Sequence, residues 1–90
     1  MGEEILEELL SLAEKRASLC KEANYLYEQK EFEFCISSCS KALGMEKDIF
    51  LNARKIGLEG LPIVIQQMEI SLMLVGLLSK VEKDLVGVSE

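Results

Sequence analysis

The sequence contains no histidine and no tryptophan, and it has a single proline among its 90 residues. Without histidine, the chain lacks the commonest general base and the usual nitrogen ligand for a metal ion. It also has no Ser/Gly-rich or low-complexity stretch that could act as a linker. These absences predict one domain and give no indication of a catalytic site or a cofactor site.

The chain has only three cysteines, which is an odd number, and its first residues do not resemble an export signal. The acidic start, MGEEILEELL, lacks the basic region that an export signal requires, so the three cysteines predict reduced thiols in a cytoplasmic protein. Cys20, Cys35 and Cys39 fall on apolar helix stripes, which predicts small core residues and no bound metal. The alternative is a site for zinc or another soft metal, although structural zinc sites usually have four Cys or His ligands.

Basic residues are too few and too scattered for a nucleic-acid partner. The formal net charge is −6, and the lysines and arginines form no stripe along the sequence. Binding to a phosphate backbone depends on clustered Lys and Arg side chains. The composition therefore predicts that nucleic acid is not a partner.

What the chain has in abundance is helix-forming residues, with no strand-type alternation. Apolar residues recur at helical spacing in three segments, over about residues 3–28, 32–56 and 62–86. Gly57 and Gly60 end the second segment, and Pro62 opens the third at a position where proline is tolerated. Similar lengths and short loops predict an all-α, antiparallel up-down-up three-helix bundle.

Gly44 is the uncertain point of this scheme, and it bears on two charged residues. We expect the second helix to continue through Gly44, which places Glu46 within an apolar stripe. Arg16 occupies a similar position on the first helix, and both lie about fifteen residues from the turn at Lys30. Antiparallel helices would then bring Arg16 and Glu46 together as a buried polar pair. If the helix instead breaks at Gly44, Glu46 lies in a solvated turn.

The segment Leu61–Leu78 is apolar on nearly every side. Twelve of its eighteen residues are large aliphatics or Met, whereas a surface helix needs an apolar stripe only a little wider than ~100°. A domain of this size cannot cover such a helix alone, which predicts a homo-oligomer, with a dimer favoured, or a helical peptide or protein partner. The predicted interface residues are Ile65, Met68, Leu72, Leu74, Val75 and Leu78.

A membrane span is the alternative for this segment, because its length is just sufficient. Gln66, Gln67 and Glu69 lie inside it, and a charged residue near a helix centre costs ~2.5–3.5 kcal/mol on insertion scales. We therefore expect a buried helix of a soluble protein and no membrane partner.

Residues 19–43 carry small, aliphatic and aromatic side chains at fixed helical spacings: Leu19, Ala23, Leu26, Phe32, Cys35, Cys39, Ala42 and Leu43. This pattern resembles the tetratricopeptide helical hairpin, in which small residues let two antiparallel helices approach and aromatic residues fill the gap. The segment departs from that motif at Lys30, where a turn glycine is usual, and at Cys35, where alanine is usual, and no second copy follows.

In its size the chain also resembles the MIT-type trafficking modules that share this hairpin. The resemblance implies a module that binds helical or extended peptides in grooves between its helices. An unrelated antiparallel hairpin would place the same residues in its core, so that interpretation stays open.

The predicted function is therefore non-catalytic: a protein–protein interaction or assembly module that self-associates through its C-terminal helix. The alternative is a small enzyme, because the run Glu3-Glu4-Ile5-Leu6-Glu7-Glu8 resembles the acidic run of all-α nucleoside triphosphate pyrophosphohydrolases of the MazG type. That resemblance implies magnesium held by carboxylates of two helices. Such a site needs convergent acids, and the later acidic pairs of this chain lack the expected spacing.

Overall fold

The protein is an all-α three-helix bundle, as the sequence predicts. A computed structural model describes residues 2–89, which contain no strand. Helix α1 spans Gly2–Glu28, α2 spans Phe32–Gly44 and α3 spans Glu46–Lys55; a short 3-10 turn, Gly57–Gly60, then leads into α4, Leu61–Ser89. Helices α2 and α3 together form the middle leg of the up-down-up path, and both pack against α1 and α4. The bundle measures 54 × 16 × 15 Å.

The middle leg is broken after Gly44, which corrects our expectation of one continuous helix. Met45 lies between α2 and α3, and its N–H bonds at 3.3 Å to the carbonyl of Ala42, only three residues back. The same carbonyl accepts a bond of 2.9 Å from Nε of Arg16 on α1. The Arg16 side chain therefore occupies part of the Ala42 carbonyl, an acceptor in the last turn of α2. Gly44, a poor helix former, weakens the same turn further. Met45 keeps helical dihedral angles, so α3 continues in nearly the same direction.

The turn between α1 and α2 is a Schellman motif with lysine in place of the usual glycine. Lys30 has a φ of 61°, in the left-handed region. The N–H of Glu31 bonds to the carbonyl of Leu26 at 2.9 Å, and that of Lys30 to Tyr27 at 3.0 Å. These bonds satisfy carbonyls that the end of a helix otherwise leaves unpaired. They bring α2 back antiparallel to α1.

The apolar core consists of two clusters on either side of a polar layer, which is formed by the buried residues Arg16, Gln67 and Ser71. One is built mainly on Ala23, Cys35, Cys39, Ala42, Leu74, Leu77 and Val81. The other contains Leu9, Ile49 and Ala53 at the opposite end of the bundle. Arg16 lies between Leu9 and Ala23 along α1, so its buried side chain separates the clusters. Small residues predominate where α1 meets α2, which allows those helices to approach closely.

Gly60 is required where the 3-10 turn passes α3. Replacing it with Ala should lower the free energy of unfolding by about 1–3 kcal/mol, since a Cβ atom there would collide with the backbone carbonyl of Ala53. Urea unfolding followed by circular dichroism measures the loss. The matched control is Gly44→Ala, where the new Cβ would meet nothing within 4 Å and should leave stability equal or higher. Equal losses in both variants would contradict the close approach at Gly60.

Candidate functional site

Most of the surface of α4 is left uncovered by the rest of the bundle. The segment Gly57–Gly87 is long and apolar enough to cross a membrane, with a mean hydropathy of 1.7 over its most apolar window, yet only 17% of that window is buried. A core helix of a soluble protein can match this length and hydropathy, but it is mostly buried. The apolar surface of this helix therefore faces outward in the single chain, whose size led us to expect that it could not cover the helix alone.

Five of the exposed apolar residues of α4 form one continuous row, which we call the α4 strip; Met73, Leu85 and Val86 are also exposed but are not part of it. Each residue of the strip is at least half exposed, and Leu72, at 72%, is the most exposed. Their alternating spacings of four and three residues are those of a coiled-coil seam, which repeats every seven residues. The α4 strip consists of Leu61, Ile65, Met68, Leu72 and Val75.

The predicted interface residues divide between this strip and the core. Ile65, Met68, Leu72 and Val75 lie on the strip, which also includes Leu61, a residue that the prediction omitted. Leu74 is only 2% exposed and belongs to the core. The predicted Leu78 is half-buried and packs against the same cluster. The spacing of four and three residues could have separated the strip from Leu74, because Leu74 falls outside that repeat.

A groove of about 280 Å³ runs beside the second half of the α4 strip. Met68, Leu72 and Val75 form its α4 side, and Leu43 of α2 and Glu46 of α3 form the other, with Ser71 also lining it. The groove is therefore apolar on its α4 side and at Leu43, and polar where Glu46 and Ser71 meet. Its apolar lining suits apolar side chains from another helix.

The polar layer beneath this groove is organised by Arg16, which is fully buried. Besides its bond to Ala42, the guanidinium donates from Nη1 to the backbone carbonyl of Gln67 at 3.1 Å and to Oε1 of the same residue at 3.0 Å. Nη2 donates to the hydroxyl of Ser71. One side chain thus connects α1 with the end of α2 and the middle of α4.

The predicted Arg16–Glu46 pair is replaced by an indirect link through Ser71. The Ser71 hydroxyl accepts from Arg16 and donates to Oε1 of Glu46 at 3.2 Å, while Glu46 itself is only half-buried. Burial lowers the pKa of Arg16, and the nearby Glu46 carboxylate opposes that shift. An arginine still remains protonated under such conditions. Helix α2 does end at Gly44, but Glu46 faces Ser71 instead of lying in a solvated turn. Gln67 and Ser71 are the residues that sequence analysis did not connect with Arg16.

The three cysteines are free thiols with different access to solvent. Cys35 and Cys39 are fully buried, whereas Cys20 is half-buried. Burial raises the pKa of Cys39 to about 12, and burial also raises the pKa of Cys35. Reaction and metal binding both need the thiolate. The buried thiols therefore stay protonated and unreactive at neutral pH.

This difference in access predicts the pattern of thiol labelling. In the native protein a maleimide should modify Cys20 at most, because Cys35 and Cys39 are neither exposed nor ionised. After unfolding in urea, all three thiols should react. Mass spectrometry of the labelled chains counts the modifications, and the urea sample is the control for complete labelling. Rapid modification of Cys35 or Cys39 in the folded protein would contradict their place in the core.

The acidic residues at the start of α1 are separate from the polar layer. Glu3, Glu4, Glu7 and Glu8 are all exposed. Negative charge in the first turns of a helix is favoured by the helix dipole. Within the part of the chain that the structure describes, no group of three or more Cys, Asp or Glu side chains is arranged to hold a metal ion.

Comparisons with protein families, curated proteins and solved structures find no match to this chain. The tetratricopeptide and MIT-type resemblance of residues 19–43 therefore stays a prediction. The candidate site rests on the geometry of α4 and of the groove beside it.

Proposed function

We propose that this protein is a non-catalytic helical assembly module, and that two copies associate through the α4 strip. The observation that carries the proposal is the strip itself: five large apolar side chains in one row, each at least half exposed. A packed monomer rarely leaves such a row open to water. The spacing of the row is that by which one helix packs along another.

The size of the strip is consistent with this role. Side chains of this kind and exposure together present on the order of 400–500 Å² of apolar surface, near the upper end of the largest patch on an ordinary monomer. Two such patches facing each other would bury roughly 1,000 Å² in total, the lower limit for a specific interface. The groove rim, including Leu43, would add to that area.

A second copy accounts for the strip better than a lipid bilayer does. Helix α4 is packed along α1, α2 and α3, which carry exposed charged residues such as Glu14, Lys15, Lys21 and Lys41. Inserting α4 across a bilayer would either carry these charges into lipid or separate α4 from Arg16, leaving that buried charge without its acceptors. Packing two copies together requires neither.

The proposed cellular setting is the cytoplasm. Three free thiols, two of them in the core, are compatible with a reducing compartment. A dimer would also leave the remaining surface, including the acidic start of α1, open to further contacts.

The mass in solution tests the proposal. Size-exclusion chromatography with light scattering at micromolar concentration should give a dimer, with dissociation on dilution. In parallel, flotation with vesicles of phosphatidylcholine and phosphatidylglycerol should leave the protein unbound. A folded monomer at all accessible concentrations would overturn the proposal. Co-flotation of a monomer would assign the strip to a membrane surface, and a monomer that binds a helical peptide would assign it to a different protein.

A further inference from the structure

We infer that the two copies meet antiparallel along α4. The two-fold axis would be perpendicular to the helices, between the two copies, at the level of Gln66 and Gln67. This inference rests on the proposed self-association and specifies its geometry. Leu61 of each copy would pack against Leu72 of the second copy, and Ile65 against Met68 of the second copy. Leu58, which is 87% exposed, would reach Val75 of the second copy.

The first argument is that polar residues interrupt the seam at one end. Continuing the spacing backwards from Leu61 reaches the exposed Leu58, whereas continuing it beyond Val75 reaches the exposed Ser79 and Glu82 before the next apolar residue, Val86. A parallel, in-register pair would place Glu82 opposite Glu82 of the second copy, where like charges repel. The antiparallel register pairs only apolar residues and leaves Ser79 and Glu82 outside the overlap.

The second argument comes from the position of the groove. It lies beside the second half of the strip, along Met68, Leu72 and Val75. An antiparallel partner brings the first half of its own strip, with Leu61 and Ile65, to this place. The knobs of each copy then fill the groove of the other, which makes the surface complementary to itself, as a two-fold interface requires.

The two sides of the α4 strip favour the same orientation: the groove lies along one side, and Glu69 and Gly76 lie along the other. In a parallel pair, whose two-fold axis is parallel to the helices, the groove of one copy would face the Glu69 and Gly76 side of the second copy. A two-fold axis perpendicular to the helices brings like sides together, so Leu43 and the groove rims of the two copies would adjoin. Helices α3 and α4 of both copies would then alternate in direction, as in an up-down-up-down four-helix bundle.

Covering the groove also leaves the Ser71 hydroxyl satisfied. The Ser71 hydroxyl already accepts from Arg16 and donates to Glu46. Among the described residues, no buried side-chain nitrogen or oxygen atom lacks a hydrogen-bond partner. An apolar side chain from a second copy could therefore close over the groove without leaving the Ser71 hydroxyl unpaired.

Disulfide cross-linking distinguishes the two orientations. Two variants, Leu61→Cys and Leu72→Cys, are prepared separately, unfolded, mixed and refolded together, then oxidised and treated with N-ethylmaleimide before a non-reducing gel. The antiparallel register predicts cross-linked dimer in the mixture, up to about half of the chains because pairing is random, and none in either variant alone. The unmodified chain is the control for linkage through Cys20.

Each other outcome is informative. Cross-linking within each variant alone would establish a parallel pair and overturn this inference while leaving the proposed function intact. Dimers by light scattering that cross-link in no sample would place the interface on another surface and overturn the antiparallel register. A monomeric wild-type chain would overturn the proposed function itself. If either leucine variant fails to fold, Leu58→Cys mixed with Val75→Cys tests the same register, because both positions lie far from the two-fold axis.

Discussion

Replacing Arg16 with Met should lower the free energy of unfolding by about 3–5 kcal/mol, the usual scale for losing one member of a buried polar network. Met removes the donors to the Ala42 carbonyl, to both oxygens of Gln67 and to Ser71. Each acceptor would lose a buried hydrogen bond. The Ala42 carbonyl would keep only the Met45 N–H, and the Ser71 hydroxyl only its bond to Glu46. The Gln67 side-chain oxygen would lose its Arg16 donor. Urea unfolding at a fixed protein concentration measures the loss, because the proposed association would make apparent stability depend on concentration.

The control for this prediction is Arg54→Met. Arg54 is exposed on α3, so the same change of residue should alter stability by no more than about 0.5 kcal/mol. Arg16→Lys should restore little of the loss, since one ammonium group cannot reproduce the planar fork that donates to both α2 and α4. If Arg16→Met is as mild as Arg54→Met, the polar layer does not hold the bundle together.

Coupling between Arg16 and Glu46 can be read from a double-mutant cycle with Glu46→Leu. Because Ser71 lies between the two charges, we expect a coupling of about 1 kcal/mol, clearly below the loss from Arg16→Met alone. A coupling of several kcal/mol would indicate a direct pair in solution. Purely additive effects would indicate that Glu46 is not part of the network.

The helices could be predicted from sequence because their signals are local. Helix-forming residues, apolar spacing, the polar turn around Lys30 and Pro62 each act within a few residues of the structure they specify. They place the start of α2 at Phe32 and the start of α4 within one residue of the observed Leu61. The all-α bundle follows from these local signals.

Gly44 marked a possible break after α2, but the sequence did not favour the break over a continuous helix, because a contact between distant residues contributes to it. Arg16 is 26 positions from the Ala42 carbonyl to which it donates. Its other acceptors, on Gln67 and Ser71, lie more than fifty positions away. Nothing in the local pattern of α4 marks those two residues as partners of an arginine, since they are interspersed in a run of apolar side chains.

The exposed apolar face of α4 was predicted as a segment but not residue by residue. Leu72 and Leu74 are the same residue type, two positions apart in a helix that is apolar on nearly every side. Only the packing of α4 against the other helices leaves Leu72 exposed and buries Leu74. The distinction between these two leucines therefore gives the sharpest test of the site.

Replacing Leu72 with Glu should yield a folded monomer, whereas replacing Leu74 with Glu should unfold the protein. Leu72 is 72% exposed within its own chain, so a carboxylate there stays hydrated in the monomer but would be desolvated in a dimer. The cost should reach at least ~3 kcal/mol, which corresponds to a more than hundredfold weaker dimer. Leu74 is in the core, where an unpaired carboxylate opposes folding itself. Light scattering measures the mass, and circular dichroism measures the helix content.

Gln66→Glu is the matched control, because Gln66 is exposed on α4 outside the strip. It adds the same negative charge to the same helix and should leave a folded dimer. If Leu72→Glu remained dimeric, the interface would not include the strip. If Gln66→Glu dissociated the dimer as strongly as Leu72→Glu, added charge on α4 would be the cause, and the apolar row would have no special role. Dissociation by Leu72→Glu alone, with its helix content retained, separates the surface that assembles the protein from the core that folds it.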